Sequence, residues 1–219
     1  MEHKLIKTNI LAQRIIPHVN AAMKAQLKLP EDHTSIGMFT CDNDDVAFIA
    51  LDDATKKANI QVAHVEPSYG GVYGAWGKLH GAVIAVISGP RVSDVISGMG
   101  YINDFVENHS SLYGLNEEET IAYYAYCIDK IGSYYAKSLG LKEGSSLAYI
   151  ASAPLEAMYG IDAAVKAADV KIVEFWGPPT VTNCGGALLT GTQSACKAAV
   201  EAFRHAVGSV AGDPLNYRG

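Results

Sequence analysis

Residues 52–62 read DDATKKANIQV and residues 162–172 read DAAVKAADVKI, so the two stretches align without a gap at an offset of 110. A second pair, AVISG at 85–89 and ALLTG at 187–191, repeats at an offset of 102. Recurrence at a similar spacing is the sequence signature of duplicated structural units. Because the offsets are about half of the 219 residues, the sequence predicts two similar domains in tandem.

Both predicted domains show the same order of secondary structure. Short apolar runs and alternating segments predict strands, and apolar residues at helical spacing predict helices. The predicted strands are 35–40, 60–65, 81–87, 146–151, 170–175 and 186–190, and the predicted helices are 46–57, 92–107, 154–168 and 193–210. A further helical segment is predicted before each repeat, at 10–27 with a kink at Pro17 and at 117–138. We therefore expect an α/β (α+β) fold with two domains, 1–113 and 114–219, each a small, mainly antiparallel sheet covered by helices.

Composition and charge exclude several classes of function. The chain is 49% hydrophobic and 18% charged, which is typical of a folded globular protein. With 17 basic and 23 acidic residues its formal net charge is −6, so we expect no nucleic-acid partner. Residues 1–8 are polar and no apolar run approaches the roughly 20 residues that span a bilayer, so we expect no membrane partner.

The four cysteines are Cys41, Cys127, Cys184 and Cys196, and no two of them form a C-x-x-C pair. This spacing argues against a zinc knuckle or a thioredoxin-like motif. Cys127 and Cys196 fall in predicted helices and are expected to be buried, whereas Cys184 lies in a loop and is expected to be the exposed thiol. The sequence leaves open whether any two of them form a disulfide.

Five sequence blocks, spread over nearly the whole chain, carry a family resemblance. They are LKLPEDHTSIG at 27–37, DNDDVAFIALDDATKKA at 42–58, KIGSYYA at 130–136, APLEAMYGIDAA at 153–164 and GTQSACKAA at 191–199. In this order they resemble the shell proteins of bacterial microcompartments, in the variety with two circularly permuted domains in one chain. Within that family the sequence is most similar to the L-type shell proteins of ethanolamine-utilising compartments.

The resemblance implies a structural protein rather than an enzyme, located in a microcompartment shell in the bacterial cytoplasm. Three chains would form a pseudo-hexameric disc, since a rotation that closes generates a ring of heterologous contacts. Such discs tile into a shell, with a gated central pore on the threefold axis and small pores within each subunit. The implied partners are two further copies of this chain, other shell proteins and encapsulated ethanolamine-degrading enzymes. No cofactor is required, and although such compartments house a cobalamin-dependent lyase, nothing in this sequence indicates contact with that cofactor.

An acidic pair, Asp44 and Asp45, opens the helix predicted in the first domain. Carboxylates are favoured at helix N-termini, so one interpretation is helix capping alone. The other is a cation site, because carboxylates accept the hydrogen bonds that a primary ammonium donates. In the family resembled, the matching pair contributes to an ethanolamine site in the small pore, and the resemblance adds to it Leu112, Thr182, Asn183 and Cys184. The family pattern can also carry a Glu at the position of Ala82, and this sequence lacks it.

The loop between the first-domain strands, SYGGVYGAWGK at 68–78, is rich in glycine and aromatic residues. It reads either as a surface turn or, at the centre of a disc, as a pore gate in which glycines supply freedom and aromatic rings supply bulk. The resemblance favours the gate, and we expect it to adopt more than one conformation. The gating residues would be Tyr69, Gly70, Gly71, Tyr73 and Trp76.

Two other functions remain open from the residues alone. The chain can be a trimeric small-amine-binding regulatory protein that uses the acidic pair but does not tile. It can also be a metal enzyme that uses His64, His80 and Glu66, although surface or packed histidines are more common. We expect no catalytic residue and no metal site, and flat perforated discs in electron micrographs would distinguish the shell protein from both alternatives.

Overall fold

The computed structural model describes residues 4–68, 82–109, 112–116 and 121–216. The strands in this part of the chain are β1 (Lys4–Leu5), β2 (Ile10–Ile16), β3 (Ser35–Cys41), β4 (Gln61–Ser68), β5 (Ala82–Gly89), β6 (Leu112–Gly114), β7 (Ala122–Ile128), β8 (Ser146–Ser152), β9 (Val170–Trp176) and β10 (Gly185–Gly191). The helices are α1 (Ala21–Gln26), α2 (Asp44–Thr55), α3 (Val92–Asn108), α4 (Ser133–Leu139), α5 (Pro154–Ala167) and α6 (Gln193–Gly212).

The strands form two antiparallel sheets, one for each half of the repeat. The first has the order β2-β3-β5-β4, and the second has the order β1-β6-β7-β8-β10-β9. Strand β1 comes from the N-terminal end of the chain but pairs with β6, so that it extends the second sheet. The expected domain boundary, between residues 113 and 114, falls inside β6 and stays a prediction.

The two halves repeat the same path, which confirms the predicted α/β fold. The series β3-α2-β4-β5-α3 is followed by β8-α5-β9-β10-α6 in the same order. Helices α2 and α5 begin where the sequence favours a start. The side chain of Asn43 accepts a hydrogen bond from the Val46 N–H at 2.7 Å and caps α2, and Pro154 occupies the first turn of α5.

The segments that precede each repeat differ from the prediction. Residues 10–27 were expected to form one kinked helix, but they form strand β2 and the short helix α1. Within 117–138, the described residues form strand β7 and helix α4 rather than a helix throughout. Strand β2 ends directly before Pro17, because proline has no N–H with which to continue the hydrogen bonds to β3. The run AYYAYCI in β7 is rich in aromatic residues that favour strands.

Helices α5 and α6 cross closely on the second sheet, and Gly160 makes the contact possible. A Cβ added at Gly160 would lie 2.6 Å from Cδ2 of Phe203, whose side chain is fully buried. A ring held on all sides cannot retreat by a few tenths of an ångström without moving its neighbours. The close approach of these two helices therefore depends on the missing side chain.

We expect Gly160→Ala to destabilise the protein by about 1–2 kcal/mol through overpacking. Gly100 provides the matched control, since it is an exposed helical glycine with nothing within 4 Å of an added Cβ. Gly100→Ala should stabilise the protein by about 0.5–1 kcal/mol, because alanine loses less backbone entropy in a helix. Urea denaturation of both variants measures the effects, and equal effects on stability would contradict the packing argument.

A buried carboxylate of the first half holds a helix of the second. Asp52 of α2 is completely buried, and it accepts hydrogen bonds from the backbone N–H groups of Gly132, at 2.8 and 3.0 Å, and Tyr135, at 3.1 Å. These N–H groups belong to the start of α4, where orphan donors require a partner. Helix α2 of the first half thus holds the N-terminus of α4 in the second half.

Candidate functional site: an acidic cavity between the halves

A cavity of about 410 Å³ lies where the two halves meet. The first turn of α2, helix α4, strands β8 and β9 and the loop before β10 line it. That loop, 177–184, contains a cis peptide bond between Pro178 and Pro179. Because α2 carries the acidic pair at its start and Asp52 in its third turn, one helix both supplies acidic groups to the cavity and holds the N-terminus of α4, which also lines it.

The acidic pair is part of the lining of this cavity. Asp44 is only 7% exposed, and the hydroxyl of Tyr149 on β8 donates a hydrogen bond of 2.7 Å to Oδ1 of Asp45. The capping position of α2 is already occupied by Asn43, whose side chain bonds Val46. Both aspartates follow the cap in the first turn of α2 and line the cavity, so the capping hydrogen bond to Val46 is made by Asn43 and not by either of them.

The surroundings of the two aspartates oppose their ionisation. Burial raises the pKa of Asp45 to about 6, although the hydrogen bond from Tyr149 acts in the opposite direction. Burial, followed by the negative charge of Asp45, raises the pKa of Asp44 well above its usual range. Among the described residues that line the cavity, none is a lysine, an arginine or a histidine. The described lining therefore presents acidic groups without a cation beside them, which favours a positively charged ligand.

Aromatic side chains form the walls beside the acidic pair. The rings of Tyr149 and Trp176 lie 5.2 Å apart, and those of Tyr134 and Tyr135 lie 5.1 Å apart. The indole N–H of Trp176 donates to Glu174 at 2.9 Å, so a third carboxylate borders the same cavity. Aromatic faces attract cations and also pack against alkyl chains. This combination suits a small ligand that carries an ammonium group on a short carbon chain.

The structure brings together four of the six ligand-binding residues expected from the sequence. Asp44, Asp45, Thr182 and Cys184 line the cavity, whereas Leu112 and Asn183 do not. Leu112 is buried in β6, where it pairs with Tyr124 of β7. Asn183 has an exposed side chain and a φ of 63°, which turns the loop between its two cavity-lining neighbours.

The cysteines differ in part from expectation. Cys184, expected to be the exposed thiol, is only partly exposed, and burial followed by the charges of Asp45 and Asp44 raises its pKa to about 12. Cys127 lies on strand β7 rather than in a helix and is partly buried, while Cys196 is buried in α6 as predicted. All four cysteines are free in the structure.

The predicted gating loop and the predicted metal-binding set lie wholly or partly outside the described residues. The gating residues Tyr69, Gly70, Gly71, Tyr73 and Trp76 lie outside the described residues, as does His80. His64 and Glu66 both lie on β4 with exposed side chains. Within the described part of the chain, no three metal-ligating side chains come close enough to hold an ion. Nor does any helix there have the length and apolarity to cross a membrane.

Sequence reasoning missed the aromatic half of the site. Tyr135, Tyr149 and Trp176 line the cavity, but each comes from an element far along the chain from Asp45. Tyr134 and Tyr135 fall in the segment 117–138, for which the sequence predicts a helix and no binding role. The internal repeat carries one signal that the site is not duplicated. At the offset of 110, the acidic pair corresponds to Pro154 and Leu155, so the second half lacks these two charges.

Comparisons with known proteins agree with this architecture. The family model described as BMC domain matches residues 35–114 and 146–215, one match in each half. The chain is 47% identical to the bacterial microcompartment shell protein EutL of Clostridium perfringens over 99% of this chain and 100% of the relative. It is 38% identical to EutL of Salmonella typhimurium over 96% of both chains. The crystal structure of the ethanolamine utilization protein EutL from Leptotrichia buccalis has a TM-score of 0.93 and 51% identity, covering 99% of this chain and 100% of that one.

The duplicated fold and these matches define the class: the chain belongs to the family of bacterial microcompartment shell proteins. Within that family it is similar over its full length to EutL, which confirms the resemblance to the L-type shell proteins of ethanolamine utilisation.

Proposed function

We propose that three copies of this chain form a disc of pseudo-sixfold outline that tiles, with other shell proteins, into the shell of an ethanolamine-utilising microcompartment. The tandem repeat supports this arrangement, because two similar domains in each chain allow three chains to close a ring of six. The central opening of the disc would be gated by the loop at 68–78, with smaller pores inside each subunit. Encapsulated ethanolamine-degrading enzymes would be partners on the inner side.

We further propose that the acidic cavity binds a small primary amine, of which ethanolamine is the prime candidate. The observation that carries this proposal is the adjacent pair of the buried Asp44 and the half-buried Asp45 in a cavity whose described lining contains no basic residue. A bound ammonium would supply the missing positive charge and donate to carboxylate oxygens. The protein would act as a binding conduit and not as a catalyst, and it would need no cofactor.

A regulatory protein that does not tile would use the same cavity, so the test must examine assembly as well as mass. We expect size-exclusion chromatography with light scattering to give about three times the chain mass of 23.3 kDa. Electron microscopy of concentrated protein should then show flat perforated layers. A stable monomer would overturn the ring, whereas discrete trimers that never form layers would favour the regulatory alternative.

A further inference from the structure

Tyr135 has a hydroxyl that the structure leaves without a hydrogen-bond partner among the described residues. The residue is only 4% exposed, and it lines the acidic cavity from α4. A buried hydroxyl without a partner normally costs free energy, so it requires an explanation, and one that lines a cavity can pair with a molecule bound there. This observation is independent of the acidic pair, which comes from α2 in the other half of the chain.

The surroundings of Tyr135 define what kind of group it offers. Burial raises the pKa of Tyr135 well above its usual range, and the negative charge of Asp45 is among the further contributions. The phenol therefore keeps its proton and acts as a donor near the acidic pair. Its position is fixed, since its own backbone N–H is bound by Asp52 at 3.1 Å. A ligand held at Asp45 by an ammonium group would thus meet a preset donor.

We propose that the Tyr135 hydroxyl donates a hydrogen bond to the oxygen of an amino alcohol whose ammonium group is held by Asp44 and Asp45. Tyr135 would then determine selectivity for amino alcohols over plain alkylamines. This inference rests on the proposed amine-binding function. It adds the residue that recognises the hydroxyl end of the ligand. A site that offers a buried donor rejects analogues without the acceptor, because the donor would stay unpaired.

The first experiment compares ethanolamine with n-propylamine, in which a methyl group replaces the hydroxyl. By calorimetry, we expect wild-type protein to bind ethanolamine about 10–100-fold more tightly than n-propylamine. In Tyr135→Phe, which keeps the ring and removes the hydroxyl, that ratio should fall to within about threefold, with n-propylamine affinity unchanged. Tyr124→Phe is the matched control. Tyr124 has a similarly buried and unpartnered hydroxyl but does not line the cavity, so this variant should keep the wild-type ratio.

A second experiment uses wild-type protein alone and so does not depend on the folding of a variant. 2-Methoxyethylamine keeps the oxygen that accepts a hydrogen bond but has no hydroxyl proton to donate. We expect it to bind more tightly than n-butylamine, its all-carbon counterpart, because Tyr135 donates and the ligand accepts. Equal binding of these two amines would overturn the proposal.

The possible failures of the inference and of the proposed function are distinct. If Tyr135→Phe keeps the wild-type preference for ethanolamine while Asp45→Asn weakens both amines, the amine site stands and the role of Tyr135 is overturned. If the wild-type protein binds neither amine, the proposed amine-binding function fails and the inference fails with it.

Discussion

Replacing Asp45 with asparagine should weaken ethanolamine binding by about 10–150-fold, the loss of one charge-assisted hydrogen bond of about 1.5–3 kcal/mol. The amide keeps the shape of the carboxylate and an oxygen that accepts the Tyr149 hydroxyl. What it removes is the negative charge that an ammonium group would neutralise. Calorimetry at pH 7.5 compares the two proteins, and unchanged affinity would leave the helix N-terminus as the only role of the pair.

The same substitution should stabilise the protein without ligand, which separates a binding defect from a folding defect. Burial raises the pKa of Asp45 to about 6 in the folded protein. Protonation therefore favours folding, so this contribution to the free energy of unfolding is complete below the unfolded pKa near 4 and is lost as pH rises through about 6. Asparagine carries no charge at any pH, and we expect a gain of about 1–2 kcal/mol at pH 7.5.

Two pH series test this argument. The stability advantage of Asp45→Asn over wild type should shrink between about pH 7 and pH 4, as wild-type Asp45 takes up its proton. Over the same range, the wild-type affinity for ethanolamine should fall below about pH 6, because the amine stays charged while the carboxylate becomes neutral. An affinity that does not change with pH in this range would argue against direct contact between Asp45 and the ammonium group.

The duplicated elements could be predicted because their signals are local. The strand at 35–41 and helix α5 carry short-range patterns, namely an apolar run and a first-turn proline, and each element has a counterpart 110–111 residues away. The segments before the repeats, 10–27 and 117–138, carry no such unambiguous local pattern. Residues 10–16 read ILAQRII, in which the apolar residues fit a helix as well as a strand, and only the pairing of β2 with β3 decides between them.

In the candidate site, too, the residues with a local sequence signal could be predicted and those brought together by the fold could not. Asp44 and Asp45 are adjacent in sequence, so their shared position at a helix start could be recognised directly. The hydrogen bond from Tyr149 joins residues 104 positions apart, and Trp176 reaches the cavity only because β9 lies at the edge of the second sheet. No pattern in one sequence reports which side chains two folded halves bring to a shared wall.

The internal repeat also provides a matched pair of aspartates with which to test how the cavity is held together. Asp52 and Asp162 occupy equivalent positions in the two halves, and each has a lysine four residues later. In each half this lysine lies within ion-pair distance of the aspartate, but the burial of the two carboxylates differs. The side chain of Asp52 is 0% exposed and holds the start of α4, whereas that of Asp162 is 59% exposed and pairs with Lys166. Residues at equivalent positions of the repeat therefore have different structural roles.

We expect Asp52→Ala to destabilise the protein by about 3 kcal/mol or more, because it leaves the backbone donors of Gly132 and Tyr135 unpaired and buried. Burial raises the pKa of Asp52 despite these hydrogen bonds, so relief of its desolvation offsets part of the loss. Asp162→Ala should change stability by no more than about 0.5 kcal/mol, since an exposed ion pair contributes little. Urea denaturation measures both variants under the same conditions.

The two variants should also differ in ligand binding. In Asp52→Ala, α4 loses the hydrogen bonds that fix its N-terminus, so the wall formed by Tyr134 and Tyr135 is released from its position opposite the acidic pair. We expect ethanolamine affinity to fall by about tenfold or more even at temperatures where the variant remains folded, because misplacing a preset donor loses its hydrogen bond. Asp162→Ala should bind as wild type does. If Asp52→Ala were folded and bound ethanolamine normally, the acidic pair would act without the α4 wall, and the cavity would have to be redefined around α2 and the loop before β10.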